Sequence, residues 1–307
     1  MAATLQLRLK GPGGEPVDLW RTLVSHGVAE LPPAELDEAA RTLKVTVPIP
    51  RGTPRTILIR DGRRGNARIE ILGRAPGANT KDATRDVVAR MLNLDENLAP
   101  LYEAAASDPE LSWIATGAGR MFRSPTVFED VVKTICTTNT AWSATVRMVT
   151  ALVAHLGEES VGRHGRSFPT PAAMASQPES FYKDVVRAGY RGAYLRTLAG
   201  DVAEGSVELE SLRDTPPAEL PDEEVAARLL ALPGVGPYAA AHVMMLLGRH
   251  SLLILDSWTR PKYARLVGRK KTDRQIAWRF RRYKEYAGLA FWLFVTQDWV
   301  DEPVGIK

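Results

Sequence analysis

The 307-residue chain contains a single cysteine, Cys136. One cysteine excludes an intramolecular disulfide framework and a four-cysteine zinc or iron–sulfur site within the chain. The sequence also lacks any apolar run of about eighteen residues or more, so no membrane span is expected. Because its first residues have no apolar core of signal-peptide length, we expect a cytoplasmic protein.

A large excess of one charge is absent too, since 40 Lys and Arg stand against 36 Asp and Glu, a formal net charge of +4. A net charge this small is by itself too weak to indicate a polyanionic partner. The distribution is uneven, however, because residues 269–284 hold eight basic residues and one aspartate, a net +7, and the rest of the chain sums to −3. Ile276, Phe280 and Tyr283 share one helical face of this segment, which we expect to pack inward beneath the basic residues.

Strand patterns are confined to the first part of the chain. Residues 5–9 (LQLRL) alternate apolar and polar side chains, and residues 56–60 and 67–72 are further β-rich runs. The sequence DGRRGN between the last two runs predicts a hairpin turn. Pro48, Pro50 and Pro54 are expected to break the segment before these two runs. We predict an α+β domain over residues 1–85 with a small antiparallel sheet.

Helical periodicity dominates residues 86–307, so the predicted fold class is mostly α, and α+β overall. Val127, Val131 and Ile135 recur at i, i+4 and i+8 and indicate one apolar helix face. Residues 232–240 (LPGVGPYAA) join two helical patterns and predict a helical hairpin over about residues 223–247. Asp222 is the predicted N-cap of its first helix, and Pro237 opens the second.

Two features near the hairpin indicate chemistry. Gly234 and Gly236 permit unusual backbone angles and close approach of another chain, and the amides that open the next helix can bind a phosphate. An ordinary helix–helix turn has the same pattern. Asp256 follows residues 252–255, which are apolar and expected to be buried, and an unpaired buried charge is costly. This carboxylate either caps a helix over residues 258–266 or lies at the mouth of a catalytic pocket, and the two roles are compatible.

Together these motifs resemble the helix-hairpin-helix DNA glycosylase superfamily. The resemblance also rests on residues 88–102, 135–140 (ICTTNT), 168–171 (FPTP), 188–194 (AGYRGAY) and 286–290 (YAGLA). It extends to 8-oxoguanine DNA glycosylases and to the inducible bacterial 3-methyladenine DNA glycosylase, and it covers residues 86–299 well and the first 85 loosely. It implies a monomeric, nucleoid-associated protein of base excision repair that acts on double-stranded DNA containing a damaged base.

The resemblance implies that Asp256 is the catalytic carboxylate, which stabilises positive charge on the sugar. Tyr238 stands where the 8-oxoguanine enzymes carry a Schiff-base lysine, and tyrosine has no amine. This departure implies a monofunctional glycosylase without efficient lyase activity, in which Tyr238 lines the base pocket. His242, one helical turn further, matches a base-contacting position, although an ordinary hydrogen-bonded helix histidine explains it equally well.

By the same resemblance Tyr190 is a wedge in the base stack, and Arg191 and Asn139 contact the orphaned partner base. Helix-end packing for Tyr190 and a solvated charge for Arg191 are the alternatives. Ala144 replaces a further arginine of the 8-oxoguanine enzymes, which weakens any preference for a partner cytosine. Phosphate contacts are expected from Gly234, Gly236, Arg269, Lys270 and Lys271. A structural monovalent cation on the carbonyls of Leu232 and Val235 is a family expectation, and no other cofactor is implied.

Some residues receive no functional role. Lys133 is interpreted as a helix-surface charge and Cys136 as a buried helix position without chemistry. Six aromatic residues are assigned to the core, with one or two of them lining the pocket: Trp142, Trp258, Phe291, Trp292, Phe294 and Trp299.

The sequence gives conflicting indications of which damaged base is removed. Tyr238 favours alkylated purines, whereas Asn139, Tyr190 and Arg191 favour oxidised guanine. We predict a glycosylase that removes an alkylated purine. The alternatives are an 8-oxoguanine-type glycosylase, a lyase that uses another amine, and a damaged-DNA-binding protein of the same fold that does not cleave.

Overall fold

The computed structural model describes residues 3–299, so residues 1–2 and 300–307 of the two predicted domains lie outside the described residues. Strands are present at β1 (Ala3–Arg8), β2 (Ala34–Asp37), β3 (Thr42–Ile49), β4 (Gly52–Asp61) and β5 (Asn66–Ile71). They form an antiparallel sheet in the order β1-β5-β4-β3-β2. The predicted sheet is therefore confirmed, and the predicted turn joins β4 to β5. Strands β2 and β3 had not been predicted.

Pro48 and Pro54 lie inside strands β3 and β4, so the predicted break is wrong at these positions. The β3–β4 register shifts between Val47 and Ile49, which places Pro48 at an irregularity of the ladder. The carbonyl of Pro54 accepts a hydrogen bond of 3.1 Å from the amide of Val161. Strands tolerate proline at bulges and other positions where the ladder does not use its missing N–H.

The rest of the described chain is mainly helical, as predicted. The α-helices are α1 (Leu19–Leu23), α2 (Ala78–Met91), α3 (Ala99–Ala105), α4 (Val127–Thr137), α5 (Trp142–Leu156), α6 (Pro171–Ala175), α7 (Arg191–Ala203), α8 (Ser211–Asp214), α9 (Asp222–Leu230), α10 (Pro237–Leu246), α11 (Thr259–Leu266), α12 (Asp273–Phe280) and α13 (Ala287–Val295). Tighter 3₁₀ segments are Gly27–Glu30, Ser112–Thr116 and Arg281–Tyr286, and Phe181–Val185 is a π-helical turn.

Buried apolar residues of the described chain form two clusters. The first, the sheet core, joins the sheet with α2, α3 and the C-terminal helices α11 to α13. The second, the helical core, joins α4 to α10. Tyr238 packs against both, so it lies at the seam between them. The predicted boundary at residue 85 stays a prediction, because a packing cluster need not coincide with an independently folding unit.

Helices α9 and α10 form the predicted hairpin. Pro237 is the first residue of α10, as expected. Gly234 has φ +78°, and a Cβ there would lie 2.6 Å from the ring of Tyr194, so only glycine fits. Gly236 has φ −96°, a conformation open to any residue, and the expectation of an unusual backbone is wrong for it. Its position has open space around the missing Cβ, which leaves room for another chain.

Asp222 does not cap α9. Pro221 precedes the helix, and Asp222 is its first residue. The Asp222 carboxylate instead accepts hydrogen bonds from Arg249 (3.2 Å) and from the Ser251 hydroxyl (2.6 Å). Asp222 thus links the start of α9 to the chain that follows α10 and helps to fix the position of one hairpin helix relative to the other.

Candidate active site

Asp256 lies in the turn that precedes α11. Its Oδ1 accepts hydrogen bonds from the amides of Trp258 (2.8 Å) and Thr259 (2.6 Å). The Thr259 hydroxyl accepts from the amide of Asp256 (2.9 Å) and donates to the carbonyl of Ile254 (2.7 Å). Asp256 and Thr259 therefore cap each other across the turn, and this reciprocal pair holds the carboxylate in one orientation.

The apolar run before Asp256 is less buried than predicted. Ile254 is buried, whereas Leu252 is 39% exposed and Leu253 and Leu255 are half-buried. The carboxylate is itself half-buried. Asp256 is thus an accessible group at the edge of the protein rather than a charge enclosed in the core.

A cavity with a volume of about 400 Å³ opens beside Asp256, at the seam between the two cores. Its size falls in the range of sites that bind small molecules. Tyr238 and His242 line it, so the structure brings together the three residues predicted for catalysis and the base pocket. The 3₁₀ segment Gly27–Glu30 closes the cavity from the sheet side.

One wall of the cavity, the aromatic wall, consists of Trp258, Trp292 and Trp299. Their ring centroids lie 5.4 to 6.0 Å apart, and Trp292 donates a hydrogen bond of 2.9 Å to the carbonyl of Ser25. Trp142 also lines the cavity and is 40% exposed. The assignment to the core is correct for Trp292, Trp299, Phe291 and Phe294, which are buried in the sheet core, and wrong for Trp142. Trp258 is half-buried against that core. Four of the six aromatic residues line the cavity, where one or two were expected.

Tyr238 and His242 are stacked edge to face with ring centroids 4.4 Å apart, as expected from one turn of α10. His242 Nδ1 is hydrogen-bonded to His26 Nε2 at 2.8 Å, and His242 Nε2 is buried without a partner among residues 3–299. Burial lowers the pKa of His242 to about 3, so its imidazole is neutral. Burial also raises the pKa of the Tyr238 phenol. No sequence pattern had indicated His26, which is 216 positions from its partner.

Lys133 is not a surface charge, and that interpretation is wrong. Its side chain is 3% exposed, lines the cavity, and forms an ion pair of 2.6 Å with Glu129, one turn earlier on α4. Burial raises the pKa of Glu129, and the Lys133 ammonium opposes that shift. All sides of α4 from Val127 to Cys136 are covered, which its i, i+4 pattern could not reveal. Cys136 is buried as predicted, and burial raises its pKa to about 12.

The residues predicted to contact the orphaned base lie together outside the cavity. Asn139 is exposed, with φ +45°, in the loop after α4, and Tyr190 is 55% exposed just before α7. Arg191 is buried and donates hydrogen bonds to the carbonyls of Thr138 and Asn139, so it is not a solvated charge. The Arg191 guanidinium also lies 4.6 Å from the Tyr190 ring centre. It thereby joins the Asn139 loop to Tyr190.

The basic segment contains side chains paired with carboxylates as well as other exposed basic side chains. Ile276, Phe280 and Tyr283 are buried, as predicted. Arg279 and Arg282, however, form ion pairs with Glu110 and Asp108 and are tied to the protein surface. Arg282 is exposed despite its ion pair, and the other exposed basic side chains are Arg269, Lys270, Arg274, Arg281 and Lys284, with Lys271 half-buried. Their expected phosphate contacts stay a prediction.

The hairpin turn carries the carbonyls expected to bind a cation. The Leu232 carbonyl accepts a hydrogen bond of 3.2 Å from the Val235 amide, and carbonyl oxygens suit hard cations. Leu232 keeps a second lone pair, so the turn is compatible with the expected cation. Within residues 3–299, no cluster of three His, Cys, Asp or Glu side chains could hold a metal ion, and no helix has the length and apolarity that a bilayer span requires.

No protein-family model matches the chain. N-glycosylase/DNA lyase OGG1 of Arabidopsis thaliana is 30% identical over 220 residues, which cover 65% of this chain. The match spans 58% of that relative's length.

Three solved structures have a similar fold. MBOgg1 in complex with a low-affinity DNA ligand has a TM-score of 0.73 at 18% identity, covering 98% of this chain and 99% of that one. The 3-methyladenine DNA glycosylase from Archaeoglobus fulgidus has a TM-score of 0.73 at 19% identity, covering 99% and 100%. The apo 8-oxoguanine glycosylase/lyase of Clostridium acetobutylicum has a TM-score of 0.72 at 17% identity, covering 96% and 97%. The chain therefore shares the fold of these solved DNA glycosylase structures.

Proposed function

We propose that the chain is a monofunctional DNA glycosylase that flips a damaged purine out of the duplex and hydrolyses its N-glycosidic bond, with alkylated purines favoured. The observation that carries this proposal is the Asp256 carboxylate, held by two backbone amides beside a cavity walled by aromatic rings. The fold does not choose the lesion, because a 3-methyladenine enzyme and an 8-oxoguanine enzyme match it about equally well.

Asp256 acts on the sugar. Positive charge develops on the deoxyribose as the glycosidic bond breaks, and a carboxylate already fixed in place stabilises that charge without reorganising. Because both amides bond to Oδ1, the direction of Oδ2 is set as well. From this position the carboxylate orients the water that completes hydrolysis.

The cavity receives the base. Tyr238, Trp258 and Trp292 present rings on which a flipped purine stacks, and such contacts contribute roughly 1–3 kcal/mol per base. An alkylated purine is electron-poor and gains a further cation–π attraction from these rings. Tyr238 has no amine with which to form a Schiff base, which is why the proposed enzyme uses water alone.

The surface around the cavity binds the duplex. Tyr190 is exposed and offers a side chain to fill the gap left by the flipped base, which offsets part of the unstacking cost. Asn139 then meets the partner base, and Arg191 keeps the two in place through its bonds to the Asn139 loop. Exposed basic residues after α11 and the amides of the hairpin face the phosphates, and one copy of the chain supplies all these groups.

A combined glycosylase and lyase is the second candidate. Lys133 places an amine on the cavity wall, and the Arabidopsis relative is named an N-glycosylase/DNA lyase. Lyase chemistry needs an amine that is free to attack the sugar, whereas the Lys133 amine is held in an ion pair with Glu129 at 2.6 Å. Non-cleaving recognition of damaged DNA is less supported, because Asp256 would repel phosphates without contributing to binding.

Base release from duplexes that each carry one defined lesion tests the proposal. Asp256→Asn should lower release by at least about a hundredfold, since it removes the fixed charge, while duplex binding stays intact. Asp37→Asn is the matched control, because Asp37 also caps a backbone amide (Ala40, 2.9 Å) but lies on β2 outside the cavity. Unchanged release by Asp256→Asn would remove the residue from catalysis. Release of 8-oxoguanine with alkylated purines untouched would reverse the favoured substrate.

A further inference from the structure

The α4 wall of the cavity, formed by Lys133, Thr134 and Thr137, faces a pocket otherwise dominated by aromatic rings. Lys133 Nζ lies 2.6 Å from Glu129 Oε1, and both side chains are 3% exposed. The ammonium also lies 3.5 Å from the carbonyl of Leu31, and Leu31 itself lines the cavity. The charged end of Lys133 is therefore buried at the edge of the space that a flipped base would enter.

Two of the three hydrogen bonds of this ammonium are long. Lysine has three N–H donors. One of them meets Glu129, whereas the contacts to the Leu31 carbonyl and the Ser124 hydroxyl are both at 3.5 Å, the limit of a hydrogen bond. The ammonium can therefore exchange one of its two long contacts for a hydrogen bond to a group inside the cavity.

Such a donor matters for one class of purine. A cationic alkylated purine leaves readily, because it becomes neutral when the glycosidic bond breaks. A neutral purine leaves with the bonding electron pair and gains negative charge, so its departure is slow unless a donor stabilises that charge. The two classes therefore respond differently to an ammonium on the cavity wall.

Resting on the proposed function, we propose that Lys133 is a catalytic hydrogen-bond donor to the leaving base, which extends excision from cationic purines to neutral ones. The bond from the sugar carbon to the purine nitrogen breaks, and its electron pair goes to the purine. An N–H of Lys133 bonds to the purine and supplies a proton. Water adds to the sugar carbon beside Asp256 and loses a proton in turn, which restores the ammonium. Glu129 holds the Lys133 side chain in place through the ion pair.

The test compares two lesions in one enzyme. Wild-type protein and variants are assayed for release of 7-methylguanine, which is cationic, and of hypoxanthine, which is neutral. Glu129→Gln/Lys133→Met replaces both charges together, so that neither remains buried and unpaired. The same two changes at the exposed Glu35–Lys44 pair on β2 and β3 are the control. Thermal unfolding checks that each variant is folded.

We expect the wild type and the control to release both lesions. The cavity double variant should lose about a hundredfold in hypoxanthine release, the scale of acid–base assistance, with 7-methylguanine release nearly unchanged. Lys133→Arg, which keeps a charged donor, should recover part of the loss. Equal losses on both lesions, or a wild type that releases 7-methylguanine alone, would overturn the inference. So would a borohydride-trapped adduct that depends on Lys133, since it would make the amine a nucleophile. Failure to release any lesion would instead count against the proposed function.

Discussion

The aromatic wall and the α4 wall of the cavity come from different cores and carry different chemistry. The tryptophans of the aromatic wall pack into the sheet core and offer surface area without charge. Helix α4 belongs to the helical core and carries a buried ion pair. Asp256 stands on the side of the sheet core, just before α11. Because the Asp256 carboxylate and the Lys133 ammonium lie on separate packing units, substitutions can alter one wall and leave the other intact.

The largest effect is expected from a substitution that breaks the ion pair of the α4 wall. Glu129→Leu leaves Lys133 buried without its partner, which should lower the free energy of unfolding by about 3–5 kcal/mol. Glu129→Leu/Lys133→Met should recover most of this loss, because an apolar pair of similar size needs no compensation. Urea unfolding of the three proteins measures both steps. Equal stability of the single and double variants would mean that the pair does not hold the α4 wall together.

An intermediate effect concerns pH and compares α10 with α4. The pKa of His242 is lowered to about 3, so its contribution to stability is present above pH 6.5 and is lost as the pH falls toward 3. Burial raises the pKa of Asp130 to about 7, so its contribution is present below pH 3.8 and is lost as the pH rises toward 7. Between about pH 4 and 6.5 the two contributions oppose each other.

Urea unfolding at several pH values separates them. Relative to wild type, the stability of His242→Gln should fall more steeply as the pH rises, and that of Asp130→Asn should increase with pH. In each variant, the slope of the free energy of unfolding against pH should differ from the wild-type slope by up to about 1.4 kcal/mol per pH unit. Asparagine keeps an acceptor for the Ser124 amide, which Asp130 now bonds at 2.9 Å. Curves parallel to wild type in both variants would contradict the assigned protonation states.

The smallest effect is expected in the basic segment, and it compares Lys270 with Arg282, which is paired with a carboxylate. Lys270 is exposed, so Lys270→Gln should reduce the slope of log affinity for duplex DNA against log salt by about 0.9, the loss of one phosphate contact. Arg282 is paired with Asp108, and Arg282→Gln should leave that slope near the wild-type value. Titrations of an undamaged duplex at several salt concentrations provide the measurement. Equal reductions would show that the Arg282–Asp108 pair opens when DNA binds.

Local patterns in the sequence predicted the elements whose conformation depends on near neighbours. The β4–β5 hairpin followed from its turn residues, and the α9–α10 hairpin followed from Gly234 and Pro237. Asp256 was found because a carboxylate after an apolar run requires a cap or a function. Strand β3 was missed because its proline lies at a register shift, and that shift depends on the partner strand.

Residue spacing could not predict the walls of the cavity. The i, i+4 pair of Glu129 and Lys133 has the same pattern on an exposed helix and on a buried one, so its burial depends on what packs around α4. Trp258, Trp292 and Trp299 pack in or against the sheet core, and their positions in the sequence do not show that they also line a cavity at the seam between the cores. His26 reaches His242 across 216 positions of chain.

The sequence by itself determined strands β1, β4 and β5, the two hairpins, the absence of a four-cysteine site, the basic segment and the position of the carboxylate before α11. These properties depend on local backbone preferences and on composition. Only the tertiary structure decided that a charged wall and an aromatic wall enclose one cavity beside Asp256, that Lys133 is buried there, and that Arg279 and Arg282 are tied down by carboxylates. Burial and ion pairing between distant residues depend on how the two cores pack together, and no local pattern records that packing.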